Sequence, residues 1–281
     1  TVDVSDAAGN AATQVTSSSF SVDTTIPTVS GVDSSTAAGS YTAGDEISIQ
    51  VTFTEAVTVS GTPQLTLETG VSDAVVNFVS GSGGTVLTFT YTVGAGENSS
   101  DLDYAATGSL ALNGGTINDA AGNAATLTLA APGDAGSLAA NEALVVDTTA
   151  ATVSGVSSGT ADGTYTTDGV ISITVTFTEA MTVTGTPQLT LETGGSDAVV
   201  NFSSGSGSTV LKFSYTVAAG QNSTDLDYAS TGALALNGGT IKDAAGTAAT
   251  LTLATPGAAG SLAANKALVV DTQGPSVTGV S

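Results

Sequence analysis

The sequence predicts an all-β protein of antiparallel β-sandwich domains, repeated in tandem and arranged end to end. Three observations carry that expectation. A long segment recurs at a fixed offset, apolar and polar residues alternate with a period of two, and small turn clusters separate the alternating runs. The string VTFTEAVTVSGTPQLTLETG starts at Val51 and VTFTEAMTVTGTPQLTLETG at Val175, so the offset is 175 − 51 = 124 residues. The same offset relates SDAVVNF at Ser72 to its copy at Ser196. It also relates Val22-Asp23-Thr24 to Val146-Asp147-Thr148, and those to Val270-Asp271-Thr272. A repeat of this length is a whole domain, unlike the short units of a solenoid.

The register divides the chain. Residues 1–23 carry DAAGNAAT and a closing VDTT, and read as the C-terminal part of a preceding domain of shorter type. One full repeat spans 24–147 and a second 148–271. Residues 272–281 restart the pattern of Thr25–Val32 and read as the start of the next repeat, so the chain is expected to be cut from something longer.

Within the first repeat, Ile47–Phe53 alternates apolar and polar side chains, as a half-buried strand does. Gln64–Leu67, Val75–Phe78, Val86–Val93, Leu110–Leu112 and Leu127–Leu129 follow the same rule. ETG, SGSGG, GAGENSS, NGG and DAAGN punctuate them with residues that favour turns. About seven short strands in such a length suit a two-sheet antiparallel sandwich. The stretches near Ser137 and over Gly260–Asn265 are expected to form a short helical turn.

Composition agrees. The 281 residues are 41% hydrophobic, chiefly Val, Leu, Ala and Ile, which is enough for packed cores. Mean hydropathy is +0.29. That abundance of β-branched residues argues against disorder. Three Lys (Lys212, Lys242, Lys266) and no Arg stand against 25 acids, a formal charge of −22. A nucleic-acid binder needs a basic footprint, and this chain has none. Anionic lipid is disfavoured for the same reason. So acidic a surface repels itself unless salt screens it or divalent cations hold some of its acids. Cysteine is absent, so disulfides play no part. No run approaches the roughly 20 apolar residues of a membrane-spanning helix, so no membrane insertion is expected. No leader peptide is visible at TVDVSDAAGN.

DAAGN followed by VDTT-x-P, together with VTFTEAVTV-x-GTPQLTL, resembles the bacterial immunoglobulin-like repeats of giant surface adhesins and biofilm-associated proteins exported by type I secretion. The resemblance covers nearly the whole chain. It departs at Ala151, where the motif's proline is missing, and at Pro275, where the spacing shifts by one. It implies tandem Ig-like sandwiches on the bacterial cell surface or outside the cell. There they would act as an extender that holds an adhesive tip away from the cell, with calcium at the domain junctions.

Sandwich topology then selects candidate ligands. The linker entering a domain should meet the loop after the second strand and the loop before the last. In the first repeat these carry Asp23, Glu55 and Asp119; in the second, Asp147, Glu179 and Asp243. Calcium takes six to eight oxygens from carboxylates, carbonyls and water, and three converging carboxylates suit it. Asn123 offers one more oxygen, although its counterpart is Thr247. Asp101 and Asp103, with Asp225 and Asp227, read as capping a corner around Tyr104 and Tyr228. Glu68 and Asp73 read as turn residues. Glu97, which becomes Gln221, reads as a tolerant surface position.

An enzyme is not expected. His and Cys, the commonest general base and a common nucleophile, are both absent. Trp is absent too, so a sugar-cleaving carboxylate pair would lack its usual aromatic platform. The Gly-rich SGSGG lies between strands rather than before a helix, so it does not cradle phosphate. The expected partners are neighbouring repeats of the same chain, with lateral self-association as a further contact. A subunit of an extracellular fibre or surface layer, and a glycan- or protein-binding module, remain as alternatives.

Overall fold

The computed structural model describes residues 4–12, 21–276 and 279. Residues 1–3 and 13–20 of the expected preceding domain lie outside the described residues. So do 277, 278, 280 and 281 of the expected next repeat. The first repeat contains β1 (Val29–Ser34), β2 (Gly39–Tyr41), β3 (Glu46–Ser60), β4 (Gln64–Glu68), β5 (Ala74–Ser80), β6 (Gly84–Thr92), β7 (Asn98–Ser99), β8 (Asp103–Tyr104), β9 (Leu110–Ala111), β10 (Thr116–Asn118), the one-turn helix α1 (Leu138–Asn141) and β11 (Leu144–Asp147). The second contains β12 (Val153–Ser158), β13 (Gly163–Tyr165), β14 (Val170–Thr184), β15 (Gln188–Glu192), β16 (Ala198–Ser204), β17 (Ser208–Thr216), β18 (Asp227–Tyr228), β19 (Leu234–Ala235), β20 (Thr240–Lys242), α2 (Leu262–Asn265) and β21 (Leu268–Val270). In place of β7 the second repeat has a single bridge, Ser223 to Val270.

The fold is all-β, and each repeat has a curled antiparallel sheet. In the first, the order is β1-β3-β6-β5-β4-β8, with β10 pairing β3 and β9 pairing β4. A smaller group, β2-β11-β7, includes a parallel β2–β11 pair. The second repeat copies this as β12-β14-β17-β16-β15-β18, with β13 beside β21.

The long strand organises each sheet. β3 has 15 residues. It pairs with β1 and β6 along its first part and with β10 along its last. Its register against β6 slips between Thr52 and Val57, where it changes partners. Ile47, Ile49, Val51 and Phe53 point inward and are buried, as the period of two requires. Across the ladder stand Leu87, Phe89 and Tyr91 of β6, also buried. Each such side chain contributes about 1.5–3 kcal/mol through burial. Phe78 meets Phe89 edge-on, with ring centroids 6.2 Å apart, and Phe202 repeats this against Phe213.

Two separate cores result. One gathers buried residues from Val32 to Val146, the other from Ala151 to Val270. No helix among the described residues is long and apolar enough to cross a membrane.

Two expectations change. Leu127–Leu129 is not a strand. It runs extended with isolated bonds, Thr126 N–H to the Pro27 carbonyl and Leu129 N–H to the Thr107 carbonyl. Its alternation is still used, because Leu129 is buried while Thr128 is exposed. In addition, the Ile47–Phe53 strand does not stop at Phe53. Glu55 therefore lies inside β3, at the register slip, and not in a loop beyond it.

Candidate metal centre

The acids converge because the linker is threaded between two fixed elements. Thr28 N–H donates to the Thr54 hydroxyl, and Thr54 N–H donates back to the Thr28 carbonyl. On the other side, Thr126 N–H donates to the Pro27 carbonyl. The linker thus lies between β3 and the segment after β10. Glu55 follows Thr54, Asp119 follows β10, and Asp23 lies just upstream in the linker. One carboxylate oxygen from each of Asp23, Glu55 and Asp119 lies within 4.8 Å of the others.

The second repeat makes the same construction. Thr152 and Thr178 exchange the same two bonds, and Thr250 N–H donates to the Ala151 carbonyl. Asp147, Glu179 and Asp243 again offer oxygens within 4.8 Å of one another. Ala151 is buried where Pro27 is buried in the first copy, so the missing proline leaves the path of the chain intact.

A tight turn aims the third acid. Asp119 Oδ1 accepts from Asn123 N–H at 2.7 Å, and Asp243 Oδ1 accepts from Thr247 N–H at 2.9 Å. Gly122 and Gly246 close these turns at φ of 97° and 89°, a conformation that favours glycine. The same turn appears at Asp6–Asn10, where Asp6 accepts from the backbone of Ala8 and Asn10. Asp119 and Asp243 are buried, at 6% and 4% exposure. The linker acids are shaped by short turns of their own, Thr25 N–H to Asp23 Oδ1 and Thr149 N–H to Asp147 Oδ1.

Electrostatics mark both clusters as short of positive charge. Burial, then the nearby Asp23 and Asp119, pushes the Glu55 carboxyl above its ordinary value. Burial, then Asp147 and Asp243, does the same to Glu179. Burial also pushes Asp119 upward, but bonds from the Asn123 side chain and from the Asn123, Gly122 and Ala121 backbone outweigh it and hold it low. Glu55 Oε1 and Asp243 Oδ2 are buried oxygens with no hydrogen-bond partner among the described residues. An unpartnered buried carboxylate oxygen is costly. Each cluster is therefore an all-oxygen group of three acids able to hold a metal ion, and a hard cation fits that donor set. Comparison with models of known protein families gives no match, and comparison with curated proteins gives none either.

The other acids go elsewhere. Asp103 Oδ1 accepts from Tyr104 N–H and Oδ2 from Gly133 N–H, and Asp227 does the same with Tyr228 and Gly257. The Tyr104 hydroxyl donates to the Ala130 carbonyl; burial first, then Asp103, pushes it up to about 12. Glu68 Oε1 accepts from Gly70 N–H in its turn. Glu97 is not merely a tolerant surface residue. Its Oε2 accepts from the hydroxyl of buried Tyr91 at 2.6 Å, and Gln221 accepts in the same way from Tyr215 at 2.8 Å. Glu and Gln interchange there because each supplies an acceptor oxygen.

One set of contacts lay beyond sequence reasoning. Thr148 fastens the linker to the first repeat, through Thr148 N–H to Asn98 Oδ1 and the Thr148 hydroxyl to the Glu97 carbonyl. Thr42 of the first repeat meets Thr247 of the second, with hydroxyl oxygens 2.6 Å apart. Repetition of VDTT was the only available signal for the first of these, and nothing in the sequence singles out Thr42.

Proposed function

We propose that the chain is a structural extender of a bacterial cell-surface adhesin. In this reading it works outside the cell, has no catalytic role, and is stiffened by calcium where one repeat meets the next. The carrying observation is the pair of three-acid clusters, each containing a linker acid, recurring in register with the repeat. Asp23, Glu55 and Asp119 would hold one ion, and Asp147, Glu179 and Asp243 another. The ion supplies only charge neutralisation. Without it, three carboxylates repel across the junction; with it, the linker acid is tied to two fixed elements of the following repeat. Because Thr148 already secures the linker to the repeat before it, the cation completes a clamp on both sides. The sparing use of aromatic residues and the lack of His and Cys favour a scaffold over a catalyst.

Small-angle scattering and thermal melting, with calcium and with chelator, test this. Calcium should raise the melting temperature and narrow the range of particle dimensions. Asp147→Ala should abolish the scattering response of the central junction while both repeats stay folded. Identical scattering and melting in the two conditions would overturn the proposal.

A further inference from the structure

Resting on that cation reading, we infer that the two clusters form a graded pair. The residue four positions after the turn aspartate, Asn123 in one and Thr247 in the other, sets which junction takes its cation first.

In the first cluster the Asn123 side-chain amide reaches into the site. Its Nδ2 donates to Asp119 Oδ2 at 2.7 Å, to the Asp23 carbonyl at 3.1 Å and to the Thr25 carbonyl at 3.2 Å. Three oxygens thus already converge on a donor with a partial positive charge. A cation drawing on Asp119 Oδ2 competes with that amide for the oxygen. Stabilising the cation-free form in this way lowers the apparent affinity by the same amount.

The second cluster has no such amide. Thr247 is too short to bridge the same oxygens. Its hydroxyl lies 3.3 Å from the Asp147 carbonyl and 2.6 Å from Thr42 Oγ1 of the preceding repeat. Asp243 is 4% exposed, and its Oδ2, the atom equivalent to the one Asn123 covers, has no partner among the described residues. A cation there displaces no protein bond at that oxygen. Each cluster also holds one buried oxygen without a partner among the described residues, Glu55 Oε1 in the first and Asp243 Oδ2 in the second, so the bridging amide is what sets the two apart. Meanwhile Thr247 holds the two repeats in contact beside the site. The central junction is thus the tighter site and the stricter in its need for an ion, whereas the Asp23 junction keeps an internal latch when calcium is scarce. As calcium rises, the chain stiffens in steps rather than at once.

The test is calorimetric titration of the full 281-residue chain, stripped with chelator and titrated with calcium chloride. Two classes of site about tenfold or more apart are expected. Glu179→Gln should remove the tight class and Glu55→Gln the weak one. Thr247→Asn should lower the tight class about tenfold, and Asn123→Thr should raise the weak class by a similar factor. Melting in chelator reports whether each variant folds; if Thr247→Asn does not, Asn123→Thr alone decides. Two sites of equal affinity, or affinities that neither exchange moves, overturn the grading and leave the cation reading standing. No calcium binding by the unaltered chain overturns the reading itself.

Discussion

At the scale of single residues, Ala151 shows how a motif can change without a change in path. Its carbonyl accepts from Thr250 N–H just as the Pro27 carbonyl accepts from Thr126 N–H, and both residues are buried. Proline is therefore already accommodated at this place in the other copy. Ala151→Pro should reduce the freedom of the unfolded chain and stabilise the second repeat by about 0.4–1 kcal/mol. A higher denaturant midpoint with an unchanged slope is the expected result; a lower midpoint would show that the two linkers differ in backbone conformation. The candidate ligands were legible because sandwich topology brings the linker against the segments after the second strand and before the last, although Glu55 lies within β3 and not in a loop beyond it. Asp243 Oδ2 was not legible. Its isolation depends on what Thr247 fails to reach, and only the folded geometry displays that.

At the scale of elements, period-two alternation located β3, β4, β5 and β6, because each buries one face for several residues. Strands of two or three residues such as β7 and β8 are too short to show a period. The reach of β3 past Phe53 was hidden by the acid at Glu55, which sits where the ladder slips and so tolerates a charge. The helical turn had a clearer signature in Ser137, whose Oγ accepts from Ala140 N–H at 3.3 Å and from Gly133 N–H at 3.1 Å. This turn shields β1, which ends the sheet order. Val32 N–H donates to the Gly136 carbonyl, and Asn141 Nδ2 donates to the Val32 carbonyl at 2.8 Å. An uncovered edge invites pairing with other chains. Ser137→Ala leaves the Ala140 N–H without its cap and should cost about 1 kcal/mol. A denaturant melt checks it, and an unchanged midpoint would mean that the cap contributes nothing. Ser261→Ala should act alike in the second repeat, since Ser261 makes the same bond to Ala264.

At the scale of the molecule, charge governs behaviour, and pH separates the junctions from the general surface. Glu55 and Glu179 are held above the ordinary glutamate value of 4.5 by burial and then by two neighbouring aspartates each. Folding therefore favours their protonated forms, and the folded chain binds protons that the unfolded chain releases. The stability this contributes is fully present below the ordinary value and is lost as pH rises through the raised one. Asp119 acts in the opposite sense. Its value is held below the ordinary 3.8, so its contribution persists above that value and fades only as pH falls through the lowered one. In chelator the chain should thus be most stable in mild acid, and its melting temperature should fall as pH rises above the ordinary glutamate value. Surface repulsion from a net charge of −22 drives the same trend, but about 1 M salt screens exposed charges far more than the partly buried clusters. The slope that survives salt should vanish in the Glu55→Gln, Glu179→Gln double variant. Calcium should reverse the slope, because protons and the ion compete for the same oxygens and binding strengthens as the carboxylates ionise. A melting temperature that rises with pH in chelator would show that the buried glutamates do not govern the slope, and a calcium effect independent of pH would show that they are not ligands of the proposed ion.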